Sequence, residues 1–146
     1  MPTTRKNILD QILYRLGRIR AANGYSTDIN AAVRQRDTDS DPFAPEECWA
    51  ANVRDERAEV DHLLCYEDHR LPVTIELHAT SRITLEDAET ALADLVACVD
   101  QYVTWGGFAD GTDINSHEVN ILQAGDTITA VVVDLIIHYT TDKGKI

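Results

Sequence analysis

The chain has 146 residues, of which 44% are hydrophobic and 26% are charged, a globular composition that excludes wholesale disorder. The length predicts a single domain over residues 1–146 with a substantial core. The formal net charge of −12 argues against duplex DNA as a ligand, because affinity for nucleic acid comes mainly from Lys and Arg at phosphates.

The cysteines and the apolar segments predict a cytoplasmic protein. Cys48, Cys65 and Cys98 are odd in number and widely spaced, which favours free thiols in a reducing compartment over disulfides. Residues 5–16 are amphipathic, so we expect no signal peptide. No stretch approaches the ~18 apolar residues of a membrane span. The protein is expected to stay in the cytoplasm unless it leaves inside an assembly.

Basic residues are concentrated near the N terminus, and acidic residues dominate the rest of the chain. The basic positions are Arg5, Lys6, Arg15, Arg18, Arg20, Arg34 and Arg36. A solvated helix face accounts for this distribution. Alternatively, the polarised charge steers copies of the chain into head-to-tail or side-to-side contact, because opposite fields attract.

The first part of the chain predicts one helix. It covers residues 4–22, has Thr3 or Thr4 as N-cap, and stops at Asn23-Gly24, where Gly tolerates the left-handed conformation. Its apolar stripe consists of Ile8, Leu9, Ile12, Leu13, Leu16 and Ile19.

An edge strand and a loop are expected after this helix. Residues 25–33 predict a short edge or entry strand. Residues 34–47 contain two prolines and five acidic residues and predict a long loop, of a kind that is often functional or orders on assembly. The role of this loop stays open.

The middle of the chain predicts strands. Residues 48–60 form a strand over their first half, with a hairpin over 53–60 as an option, and residues 61–70 have no clear assignment. Residues 71–79 alternate strictly between apolar and polar, which predicts a half-buried strand.

A second helix begins with a capping box over Thr84–Asp87 and ends at Trp105-Gly106-Gly107. Its predicted stripe consists of Leu85, Ala88, Leu92, Leu95, Val96, Val99 and Val103. A loop over residues 108–116 follows it.

The end of the chain predicts an antiparallel hairpin. A strand over 117–123 and a tight turn over 124–126 lead into the longest apolar run, 126–141. This run is rich in β-branched residues, which suit a pleated and packed surface. One predicted face is continuously apolar and consists of Val131, Val133, Leu135, Ile137 and Tyr139. The other is broken by Asp134 and His138, so we expect a central strand covered on one side and partly on the other.

Helix, several strands, helix and hairpin, without alternating βα units, predict an α+β fold. The expected architecture is a single domain with an antiparallel-rich sheet and two helices packed on one face.

The best candidate for a metal site is His62, Cys65 and His69, because zinc takes Cys and His at short spacing. A structural zinc needs a fourth ligand, and no second cluster provides one. A polar, charged loop explains the three residues, so we predict no metal site there.

Other motifs also fall short of a reaction centre. Asp37, Asp39 and Asp41 resemble the start of a calcium loop, but Pro42 and Cys48 occupy the positions that need Gly and Glu. Glycines 106 and 107 close a helix without a Lys, unlike a phosphate loop.

Residues with catalytic potential have simpler explanations. Asp134 and His138 lie four apart on one strand face, where a satisfied or assembly-facing pair is the default. Trp49 and Trp105 are predicted core or interface anchors. We therefore predict no catalytic residue, no cofactor and no enzymatic activity.

The chain resembles the tail terminator, or tail completion, proteins of long-tailed bacteriophages. The segments that carry the resemblance, in this order, are R-K-N-I-L-D-Q-I-L-Y-R-L, G-Y-S-T-D-I, P-V-T-I-E-L-H-A, a capped helix, and A-V-V-V-D-L-I-I-H-Y. They span nearly the whole chain as a pattern of elements, and residues 34–60 match least closely.

The resemblance implies a structural virion protein that forms a homo-hexameric ring. Such a ring caps the tail tube, ends its polymerisation and offers the head–tail joining surface to a connector or neck protein, while DNA passes through without specific binding. It also implies assembly in the bacterial cytoplasm, a final location in the virion tail, and no membrane partner.

Alternative functions are an acidic DNA mimic that inhibits a nucleic-acid-binding protein, another head–tail connector component, or a small enzyme of a new type. The mimic predicts a monomer or dimer, and the enzyme predicts a pocket with converging polar groups.

Overall fold

The structure is a computed structural model that describes residues 2–124 and 127–146. Two helices and six strands make up one α+β domain, as predicted. In chain order they are α1 (Thr4–Gly17), β1 (Ala31–Arg34), β2 (Ala50–Asp55), β3 (Glu59–His62), β4 (Tyr66–Ala79), α2 (Leu85–Gln101), β5 (Gly111–Ala124) and β6 (Thr127–Asp142). Short 3-10 turns lie at Ala21–Asn23 and Pro45–Glu47.

The sheet has the order β1-β2-β4-β6-β5, and β3 pairs with β4 next to β2. Every pairing is antiparallel except that of β1 with β2. The longest ladder joins β4 to β6, from Tyr66 opposite Asp142 to Ala79 opposite Ile128. β2 and β3 lie end to end along the same side of β4, so together they act as one interrupted strand.

Both helices pack on one face of this sheet, as predicted. The buried residues of α1 and α2 belong to the same core cluster as the inward residues of β4 and β6. The five residues of β6 that the sequence predicts to face inward are almost fully buried. Ile128 and Ala130, predicted on the other face, also join the core, because the β4–β6 register shifts next to them. Trp105, a predicted anchor, is also fully buried, and its Nε1 donates to Thr112 Oγ1 at 2.8 Å.

The helix starts are confirmed, and the predicted end of α1 is wrong. Thr3 Oγ1 accepts from the Lys6 amide at 3.0 Å, and Thr84 and Asp87 form the reciprocal capping box. α1 ends at Gly17 instead of residue 22, because the Arg18 amide turns back to the Arg15 carbonyl and starts a tighter turn. Leu85 is 55% exposed, because it lies in the first turn of α2, outside the buried stripe.

Two predictions in the strand regions are wrong. No hairpin covers residues 53–60, because β2 and β3 both pair with β4. The predicted loop over 108–116 already belongs to β5 from Gly111 onward. Small polar residues are typical of a loop, but here Asp113 and Ser116 contact His138 and Asp134 on β6. Residues 125 and 126 of the predicted turn lie outside the described residues, although the flanking strands pair antiparallel as expected.

Candidate functional site

The candidate site is a set of three surfaces formed by the described residues. The first is the open face of the sheet, which lies opposite the helices. Here Asp134 accepts hydrogen bonds from Thr74 at 2.7 Å and from Ser116 at 2.9 Å. These contacts link β4, β6 and β5 through their side chains. Thr74 and Ser116 both lie directly opposite Asp134 in the strand ladders.

Further carboxylates line the β5–β6 part of the open face. His138 Nε2 lies 3.0 Å from Asp113 Oδ2. Thr140 Oγ1 lies 3.0 Å from an Asp68 oxygen and 2.6 Å from an Asp110 oxygen. Asp134 and His138, a predicted pair, therefore have separate partners. The carboxylates outnumber the bases, so this region presents negative charge.

The other end of the open face is covered by the loop of residues 35–48. Asn52 is fully buried and exchanges two hydrogen bonds with the Arg36 backbone, at 3.1 and 2.9 Å. Phe43 is buried between the guanidinium of Arg36, 4.8 Å away, and the ring of His78, 5.4 Å away. The predicted acidic loop over 34–47 is therefore fixed to its own domain.

A buried carboxylate joins this loop region to α1. Asp55 has a side chain only 3% exposed and accepts hydrogen bonds from both Arg5 and Arg34, at 2.7 to 3.1 Å. Burial alone would raise the pKa of Asp55, but these two arginines outweigh it and lower the pKa below the usual 3.8. The carboxylate therefore stays ionised and holds the start of α1 against β1 and β2.

The second surface is the hairpin tip, residues 63–66, between β3 and β4. The Leu63 amide donates to the Tyr66 carbonyl at 3.0 Å and closes the turn. Leu64 is 92% exposed, Tyr66 is 45% exposed, and Cys65 is exposed between them. Four consecutive exposed residues with apolar side chains are unusual on a protein surface, so the tip is a candidate interaction site.

Acidic residues flank this tip. The hairpin strands carry Glu59, Asp61, Glu67 and Asp68. One arginine, Arg70, binds two of them, with distances of 2.6 Å to Asp61 and 3.2 Å to Glu59. The hairpin as a whole therefore keeps an excess of negative charge.

The third surface is the α1–β1 groove, at the opposite end of the sheet. It has a volume of about 340 Å³, and it is lined by Leu13, Tyr14, Gly17, Arg18, Arg20, Ile29, Asn30, Ala31 and Ala32. A Cβ added at Gly17 would meet nothing within 4 Å, so the floor of the groove is open. Tyr14 is 54% exposed beside it.

The rim of this groove is basic. Residues 14–20 contain three arginines and no acidic residue. Arg20 donates to Asn30 at 3.2 Å, and Arg18 lies 5.8 Å from the centre of the Tyr14 ring. In the part of the chain that the structure describes, neither arginine has a carboxylate within ion-pair distance. These charges are therefore available to a partner.

The predicted zinc candidates have separate environments. His62 is exposed and pairs with Glu67 at 3.1 Å, and Cys65 lies at the hairpin tip. His69 faces the core, where its ring stacks on Tyr139 at 4.4 Å and its Nε2 bonds Thr141 at 2.8 Å. Within residues 2–124 and 127–146, no group of three or more His, Cys, Asp or Glu side chains could hold a metal ion.

The residues of the other sequence motifs shape turns in the structure. The Asp37 side chain accepts from the Asp39 amide at 3.1 Å and shapes a turn in the acidic loop. Gly106 and Gly107 have φ values of +75° and +88° and form the turn after α2. Of the helices in the described ranges, none is long and apolar enough to cross a membrane.

No model of a known protein family matches the chain, and no curated protein sequence matches it either. Sequence reasoning missed the buried Asp55 and the hairpin tip. For the tip, a signal was present, because Leu63 and Leu64 form an apolar pair within an acidic segment.

Proposed function

We propose that this chain is a self-assembling structural subunit that forms a ring on a bacteriophage tail tube. In this role it ends tube polymerisation and provides the surface for head–tail joining. The observation that carries the proposal is that two different interaction surfaces, the hairpin tip and the α1–β1 groove, lie at opposite ends of one sheet. This arrangement suits a subunit that binds copies of itself in series.

Subunits that use two different patches make heterologous contacts. Such contacts generate a ring when the rotation between subunits closes, and a filament when it does not. A ring is what a terminator needs, because it matches a tube of stacked rings and leaves a central hole for DNA. The resemblance to tail terminators favours a hexamer.

The acidic region of the open face suits the wall of such a hole. Asp68, Asp110, Asp113 and Asp134 would repel DNA phosphates, so DNA would pass without binding. Replacing these four residues by Asn is expected to slow DNA ejection from assembled particles. Ejection at the wild-type rate would assign the acidic region to another surface of the ring.

Deletion from the phage that encodes the chain tests the proposal. Without the protein, electron microscopy is expected to show overlong tails or tails without heads, and supplying the protein in trans should restore particles of normal length. Tails of normal length joined to heads would refute the proposal.

The same acidic region supports a second function, that of a DNA mimic. Carboxylates on a rigid sheet can present charge as a phosphate backbone does. The mimic predicts a monomer or dimer that binds a basic nuclease or repressor in competition with DNA. A ring that does not bind a basic nuclease or repressor would exclude the DNA-mimic function.

A further inference from the structure

We propose that the hairpin tip of one subunit inserts into the α1–β1 groove of a second copy of this chain. The inference rests on the proposed function, and it names the two surfaces that would join neighbouring subunits in the ring. It assigns Leu63 and Leu64 as the inserted side chains and Gly17 as the floor that receives them.

The two surfaces cannot meet within one subunit. The tip lies at the Tyr66 end of β4, whereas the groove lies at the level of Ala31, which is aligned with Ala50 and His78 across the sheet. Tyr66 and His78 are twelve residue steps apart along β4, which corresponds to roughly 40 Å. A contact between tip and groove therefore joins two molecules.

Chemical complementarity identifies the second copy as the occupant of the groove. The tip supplies exposed Leu side chains, and the groove has an open, glycine-floored space between Leu13 and Ala31. The hairpin strands have an acidic excess, and the groove rim carries Arg18 and Arg20. Burying apolar area supplies affinity, and opposite charge orients the encounter.

Charge alone does not decide the match. Lys143 and Lys145 follow the end of β6 near Tyr66 and weaken the negative field at that end of the molecule. Leu64 therefore provides the main anchor, and the acidic flank has a steering role. The closed turn at the tip means that little conformational freedom is lost when it inserts.

Two single variants and their mixture test this contact by sedimentation velocity. Leu64→Ser removes the anchor from an exposed site. Gly17→Leu adds a side chain to the groove at a position where a Cβ meets nothing within 4 Å, and Leu favours the helix over Gly. We expect wild-type protein to form oligomers and each variant to be monomeric. Ile121→Ser, at another exposed apolar site, is the matched control and should assemble as wild type does.

An equimolar mixture of the two variants is the most discriminating test of the tip-to-groove contact. Leu64→Ser keeps an intact groove and Gly17→Leu keeps an intact tip. The tip of one variant can therefore insert into the groove of the other, but the remaining tip and groove of that pair are both blocked. We expect dimers and nothing larger. A tip-to-tip contact would instead leave Gly17→Leu fully associated, and that result would overturn the proposal.

Disulfide trapping detects the contact even if it is weak. Gly17→Cys places a thiol in the groove, where Cys65 of a second copy can reach it on oxidation with diamide. We expect a ladder of covalent oligomers that is absent from Asn120→Cys and from Gly17→Cys combined with Cys65→Ser. If wild-type protein stays monomeric and no ladder forms, the contact does not exist. If Leu64→Ser and Gly17→Leu assemble as wild type does and still cap tubes, this inference fails and the proposed function stands.

Discussion

The two faces of the sheet are stabilised by different interactions, although they share the same strands. On the covered face, β4 and β6 present a continuous row of aliphatic side chains that α1 and α2 bury. On the open face, the same strands are held by separate polar contacts, such as Thr74 and Ser116 with Asp134. The fold therefore depends on the covered face, whereas the β5–β6 part of the open face remains exposed, as at Asp113 and His138.

The largest effect is expected from truncation on the covered face. Leu135→Ala should destabilise the domain by about 3–5 kcal/mol, because it leaves a cavity in a packed core. Its chain neighbour Ile136 points to the open face, and Ile136→Ala should cost less than about 1.5 kcal/mol. Urea unfolding monitored by circular dichroism measures the free energy of unfolding of both variants. Equal losses of this free energy would mean that the two faces contribute equally to stability.

Asp55 is the one polar residue on the covered side from which we expect a comparable loss. Asp55→Ala should destabilise by about 3 kcal/mol, because it leaves Arg5 and Arg34 without their shared carboxylate. Asp113→Ala, which removes an exposed carboxylate from the open face, should cost less than about 1 kcal/mol. The same unfolding assay tests this pair. A loss below 1 kcal/mol for Asp55→Ala would contradict a structural role for the buried carboxylate.

A smaller loss of stability is expected when the pH is lowered, because His69 then takes up a proton. Burial lowers the pKa of His69 below the usual 6.5, although the nearby Glu67 and Asp68 raise it. Below pH 6.5 the unfolded chain binds a proton that the folded chain resists, so stability is complete above this pH and declines as pH falls. His69→Phe keeps a ring against Tyr139 and should flatten this decline between pH 7 and pH 5. A slope of unfolding free energy against pH that is unchanged in His69→Phe would mean that His69 does not set this decline.

The smallest change in global stability is expected from the covering loop. Phe43→Ala removes the side chain that lies between Arg36 and His78. Amides of residues 35–48 should then exchange faster with solvent, while those of β4 and β6 keep their protection, because local opening need not involve the core. Hydrogen exchange read by mass spectrometry separates these two regions, and uniform loss of protection would show that the loop is part of the core.

Much of the covered face was predictable from sequence, because periodicity reports which side chains are buried. The alternation in 71–79 correctly identified the second part of β4. The pattern in 126–141 identified β6 and the five residues of its continuous apolar face, all of which are buried. The capping box at Thr84 correctly located the start of α2. These signals are local, so one segment is enough to reveal them.

The features that were missed depend on contacts between distant segments. Asp55 is buried only because Arg5 and Arg34 converge on it from 50 and 21 residues away. β5 begins at Gly111, in a segment of small polar residues, because β6 supplies its partners. The hairpin tip is the exception, because β3 pairs with the adjacent β4 and Leu63-Leu64 is an apolar pair within an acidic segment.

Electron microscopy of the purified chain mixed with tail tubes of the phage that, under the proposal, encodes it tests the proposed function most directly. We expect an annulus of this protein at one end of each tube, and tubes that no longer grow when tube subunits are added. Subunits that remain single and leave both tube ends bare and growing would contradict the claim that this chain is a self-associating cap.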